Sequence, residues 1–247
     1  MSTRNSCSFL LVPLVVLLLA TIHIGSILSV CAQQSVNTAN SSDGADSNNV
    51  NLSTDLPALP KNPTPAQAFA NTGREFEEEA VSLSQRGTYQ QALVLFNKAI
   101  SLSPNNPIFY QDRALNYELM NMKDKAIADL DKAISLDPEG GRSYILRSRM
   151  YLSTNKFDLA LNDATKAVKL AQDTDNCTLL ADGFAAQAKA LLKLNKLPEA
   201  LDSATKAIDY APENPTPYHL RAEIYKAQNN LKQSEQDEQK AKSLSAY

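Results

Sequence analysis

The 247-residue chain has no tryptophan, two histidines, three cysteines and only seven glycines. Each shortage removes a class of protein. So few glycines exclude a Gly-rich phosphate-binding enzyme and a turn-rich all-β fold. One histidine, His23, lies inside an apolar segment, so any downstream domain owns His219 alone and a histidine-rich metal site is excluded. The 24 Lys+Arg are outnumbered by 27 Asp+Glu, for a net charge of −3, which lacks the basic excess a nucleic-acid binder carries. No cofactor or metal is expected.

What is present divides the chain. Residues Phe9 to Ala32 hold no charged side chain, and Arg4 is the only basic residue before them. Phe9–Ala20 has the length of a signal-peptide apolar core, and Val30-Cys31-Ala32 offers small residues for cleavage before Gln33. Three readings of 1–32 stay open: a cleaved secretory signal, an uncleaved membrane anchor, and a lipid-anchored Cys31. All three place the rest of the chain outside the cytoplasm, whether periplasmic, secreted or membrane-anchored facing outward. Residues 33–65, rich in Asn, Ser, Thr, Asp and Pro without an aromatic, read as a disordered polar linker. If 1–32 is removed, Cys177 is the one remaining thiol, so it is expected as a packed side chain without an intrachain disulfide.

From about Gly73 onward the sequence repeats itself. Lys98-Ala99-Ile100 recurs as Lys132-Ala133-Ile134, Lys166-Ala167-Val168 and Lys206-Ala207-Ile208, and weakly as Lys240-Ala241-Lys242. The steps are 34, 34, 40 and 34 residues. Tyr110, Tyr144, Phe184 and Tyr218 keep the same ruler, as do Ala92, Ala126, Ala160 and Ala200, and Pro104, Pro138 and Pro212. Two short apolar-periodic segments per 34 residues make a helix–turn–helix solenoid.

On these residues the chain resembles the tetratricopeptide-repeat family, with five units at 73–106, 107–140, 141–174, 181–214 and 215–247 inside a domain of residues 66–247. The resemblance implies an all-α, right-handed superhelical solenoid, in which the first helix of each unit (helix A) lines a concave groove and the second (helix B) lies outside. It fixes no activity, because the family is a scaffold class. Ala80, Ala114, Ser148, Ala188 and Ala222 fall where helix A must approach helix B. Gly87, Asn121, Asn155, Asn195 and Asn229 end the A helices, as residues that accept a left-handed conformation. The seventh residue of the units is Glu79, Arg113, Arg147, Gln187 or Arg221, and the twenty-third is Leu95, Asp129, Asp163, Ser203 or Asp237. Asp occurs only where Arg does, so an Arg–Asp pair should tie helix A to helix B in units two, three and five. Six extra residues, Asp175 to Leu180, precede the fourth unit. Asp175 is expected to cap a helix that starts about a turn early. In the last helix Ser234, Glu235 and Glu238 replace apolar residues, which reads as a solvent-facing cap.

The groove slots of the A helices are acidic at the start, with Glu77, Glu78 and Asp112, and turn basic and apolar in the middle. There Arg142 and Arg149 lie two turns apart, Lys189 and Lys193 one turn apart, with Ile145, Leu152 and Leu192 between them. These seven are the candidate partner-binding residues. A chaperone-type carboxylate clamp, as some family members carry, would need cations and Asn where Glu77, Val81, Asp112, Arg142 and Leu146 stand, so that ligand is not expected. The expected function is an exported, non-enzymatic protein-interaction module. It would bind a peptide or partner protein, with an acidic segment, in the groove. The alternative is a structural or membrane-tethered spacer, or a self-assembling scaffold without a discrete ligand, and membrane association through 9–32 stays open. No acid–base pair, nucleophile or metal constellation marks an enzyme.

Overall fold

A computed structural model of the chain describes residues 65–174 and 176–245, so the apolar segment, the residues 33–64 and the capping role assigned to Asp175 lie outside the described residues. The described chain is helical throughout. Five helix pairs follow in order: α1 (Pro65–Gln85) with α2 (Tyr89–Leu102), α3 (Pro107–Leu119) with α4 (Lys123–Leu136), α5 (Gly141–Ser153) with α6 (Phe157–Asp173), α7 (Cys177–Lys193) with α8 (Leu197–Tyr210), and α9 (Pro215–Ala227) with α10 (Leu231–Leu244). Each helix packs on the next in sequence. The odd-numbered helices also touch one another across units (α1 with α3, α3 with α5, α5 with α7, α7 with α9), whereas no two even-numbered helices meet among the described residues. That asymmetry bends the stack and puts the odd helices on the inside, the solenoid expected from sequence.

Local chemistry explains the punctuation. Gly87, Asn121, Asn155, Asn195 and Asn229 all take positive φ, between 57° and 80°. After each, the next amide reaches back five residues, as in Met122 to the Tyr117 carbonyl at 2.8 Å and Lys156 to that of Tyr151 at 2.9 Å, closing the helix end. Three A helices start on side-chain caps, α3, α7 and α9, where Asn106, Asn176 and Asn214 accept from the amides of Ile108, Leu179 and Thr216, whereas the B helices that follow the left-handed residues have no side-chain cap. We expect Asn155→Val to cost about 1–2 kcal/mol, since a branched Cβ crowds the left-handed backbone. Asn155→Gly should stay within about 0.5 kcal/mol of the parent. Urea unfolding followed by circular dichroism checks both.

Where two helices of a pair cross, the side chains are small. Ala80, Ser148 and Ala188 are fully buried against Ala92, Ala160 and Ala200, and the Ser148 hydroxyl donates to the Ala160 carbonyl at 2.7 Å, so its polarity is satisfied in the core. Between units the aromatic of helix A is tethered backward. Tyr110, Tyr144 and Tyr218 donate to the carbonyls of Pro104, Pro138 and Pro212 at 3.0–3.1 Å. The third unit ends in Gln172 instead of proline, and the aromatic that follows is Phe184, which has no hydroxyl to tether.

The six-residue insertion lengthens both flanking helices. α6 and α7 each have 17 residues, against 14 and 13 for their counterparts α4 and α5. α7 therefore starts a turn early, as expected, but its cap is Asn176. Cys177 is buried at 4% exposure beside Leu180 and Phe184, so its side chain is packed as expected. At the far end α10 buries only Asp237 and Ala241, so its outer face meets solvent.

Three arginines fasten the stack. Arg113, Arg147 and Arg221 each clamp an aspartate of their own helix B with two bonds of 2.7–2.8 Å, to Asp129, Asp163 and Asp237. The remaining guanidinium nitrogen reaches the preceding unit, at Asn97, Asp131 and Thr205 respectively. Each guanidinium also lies between two tyrosine rings of its own helix, 5.6–6.0 Å from their centres. The pairing was legible in the sequence; the bond to the preceding unit was not.

Candidate partner-binding groove

The inner helices enclose a groove of about 490 Å³ between α3, α5, α7 and α9. Helical spacing sets its lining. Arg142, Ile145, Arg149 and Leu152 share one face of α5, and Leu115 of α3, Lys189 of α7 and Leu220 of α9 face them. Five of the seven residues singled out from sequence are thus brought together: Arg142, Ile145, Arg149, Leu152 and Lys189. Leu192 instead packs against Leu191, Ala200 and Leu220 in the core between α7, α8 and α9. Lys193 is exposed in the last turn of α7 and does not line the groove. Sequence reasoning missed Leu179, which enters only because the insertion extends α7. It packs on the backbone of Gly141, where a Cβ would come within 2.6 Å of its methyl.

The charges are less one-sided than their sequence order suggests. Arg149 is already held by Glu118 of α3, through bonds of 3.1 and 2.5 Å. Arg142 has no ion pair within bonding distance among the described residues, but it acts on two carboxylates, Asp112 and Asp182. Burial raises both carboxyls above their usual range, and Arg142 opposes the rise. Lys189 is exposed and has no ion-pair partner among the described residues. The cations open to a ligand are therefore Arg142 and Lys189, with Glu223 and the His219–Glu238 contact (3.0 Å) beyond them.

At the other end of the concave face Glu77 of α1 hydrogen-bonds Asp112 of α3. Burial, that bond, and repulsion from Asp112 and Glu78 push the Glu77 carboxyl from 4.5 up to about 7, with Arg74 opposing. The folded protein thus holds a proton that the unfolded chain has released between these two values, and stability contributed by this group falls as pH rises from 4.5 to 7. Glu77→Gln should remove that dependence. Melting curves of parent and variant should converge near pH 5 and separate toward pH 8, with the variant the more stable there. Parallel curves across this range would show that Glu77 ionises as in water.

The tetratricopeptide-repeat family model matches residues 108–139 and 141–174, which are the pairs α3–α4 and α5–α6. No curated protein matches the chain significantly in sequence. Among solved structures, the MamA fragment from residue 41 to the end of Desulfovibrio magneticus RS-1 aligns over 72% of this chain and 97% of its own, with a TM-score of 0.58 and 15% identity. The pilF protein of Pseudomonas aeruginosa aligns over 71% of this chain and 78% of its own, with a TM-score of 0.64 and 15% identity. YrrB, described as a TPR protein with an unusual peptide-binding site, gives 72%, 93%, 0.51 and 19% in the same terms. Identities this low carry the fold of repeated helix pairs and nothing of the ligand.

Proposed function

We propose that this chain is an exported, non-enzymatic interaction module that docks an extended segment of a partner protein in the concave groove. Tetratricopeptide repeats mediate protein–protein contacts, and the observation that favours this groove is the pairing of two cations, Arg142 and Lys189, around an apolar wall of Leu115, Ile145 and Leu152. Such a surface suits a segment with a carboxylate and one or two apolar anchors, because a guanidinium grips a carboxylate with two parallel bonds. The Glu77–Asp112 pair sets direction by turning away the acidic end of the wrong orientation. Export rests on Arg4 and the uncharged run Phe9–Ala32. A reporter fused after Pro65 should score as non-cytoplasmic, and a cytosolic full-length chain retaining Met1 would remove that part.

Site-specific photocrosslinking tests the groove. A benzoylphenylalanine placed at Ile145, inside the concavity, should trap a discrete partner in the native host. The same probe at Val94, exposed on the outer helix α2, should not. A partner trapped at Val94 and not at Ile145 would move docking to the convex face.

A further inference from the structure

The fourth unit breaks the arginine clamp, and the break leaves a cavity. In α3, α5 and α9 the guanidinium lies between two tyrosines of its own helix, and the matching residues of α7 are Phe184, Gln187 and Leu191. Gln187 reproduces the hydrogen-bond pattern in neutral form. Its amide donates to the Thr165 hydroxyl at 3.1 Å and accepts from Ser203 at 3.1 Å. It does not reproduce the bulk. A depression of about 720 Å³ opens at this junction, between Phe184, Gln187 and Leu191 of α7, Thr165 of α6, and Glu199 and Asp202 of α8. It faces away from Arg142 and Lys189, none of whose groove partners line it.

We propose that this depression is a second docking site, which receives an arginine side chain from a partner protein in the slot that units two, three and five fill from within. Three features favour that occupant. Units two, three and five show that a guanidinium on an aromatic face, bound to the flanking B helices, fits this location in the repeat. The ring of Phe184 already carries a cation, the Lys206 ammonium 5.7 Å from its centre. The two carboxylates at the rim, Glu199 and Asp202, outnumber Lys206, and the Lys206–Asp202 pair (2.6 Å) is half exposed and readily exchanged. The incoming guanidinium replaces the ammonium over Phe184 and bonds the rim carboxylates.

The full chain is titrated with the fluorescent, end-capped peptide Ser-Leu-Arg-Tyr-Ser, with citrulline in place of arginine as the neutral control. The arginine peptide should bind saturably, and the citrulline peptide about tenfold more weakly or worse. Gln187→Arg with Leu191→Tyr and Ser203→Asp, which fills the slot from within, should weaken the arginine peptide about as much. Should that triple variant misfold, Glu199→Gln with Asp202→Asn on the exposed rim serves the same purpose with the core intact. The proposal is overturned by the absence of saturable binding, by equal binding of the two peptides, or by indifference to the rim variant. It is overturned equally if binding is lost only with Glu118→Gln and Asp182→Asn, the carboxylates of the concave groove.

Discussion

Asp163→Ala is expected to destabilise the protein by about 2–3 kcal/mol, and Asp131→Ala by under about 1 kcal/mol, although both aspartates bond the same arginine. Asp163 is 2% exposed and receives Nε and Nη2 of Arg147 at 2.7 and 2.8 Å; Asp131 receives Nη1 at 2.6 Å with its side chain 54% exposed. Hydrogen bonding to Asp163 holds Arg147 firmly in its charged form. Without Asp163 that charge stays wedged between Tyr144 and Tyr151, with only the solvent-facing carboxylate to balance it. At roughly 2–4 °C per kcal/mol for a domain of this size, the melting temperature should fall by about 5–10 °C. Ser203→Ala, which removes a neutral bond to Gln187, should cost about 0.5–1 kcal/mol. Because units touch only their neighbours, weakening the third one should also broaden the transition. Equal melting temperatures for Asp163→Ala and Ser203→Ala would make the ion pair decorative.

What could be read from the chain was whatever one repeat must do for itself. Asn121 and Asn155 end helices within their own hairpins, and Arg147 finds Asp163 sixteen residues on, in the same unit. Such relations recur at a fixed period, so the period exposes them. Relations between units are legible only where the partner's residue type recurs together with its place in the repeat. The Arg149–Glu118 bond spans 31 residues and two A helices, and its loss to the ligand was invisible in a list of groove slots. The third arm of the arginine clamp falls on Asn97, Asp131 or Thr205, three residue types with no shared signature. Leu179 reaches the groove through an insertion that no repeat pattern describes.

Reversing Arg142 and Lys189 together is expected to abolish docking in the groove while leaving the fold intact. Both side chains are exposed and neither is ion-paired among the described residues, so Arg142→Glu with Lys189→Glu breaks no contact that holds the helices. Arg142→Glu does place a third carboxylate beside Asp112 and Asp182, so the local potential changes sign rather than merely fading. Arg149→Glu is the less informative change: it would face Glu118 and strain the α3–α5 contact itself. For the parent protein, affinity should fall with ionic strength, because these charges are solvent-accessible and screened over about 10 Å at 0.1 M salt. The most direct measurement is the dissociation constant of the crosslinked partner's segment for the parent and for the double reversal, at two salt concentrations. The account predicts a weakening of about a hundredfold, or about 2.7 kcal/mol, at low salt with the cooperative helical melting transition retained. An affinity within about twofold of the parent, and indifferent to salt, would contradict it.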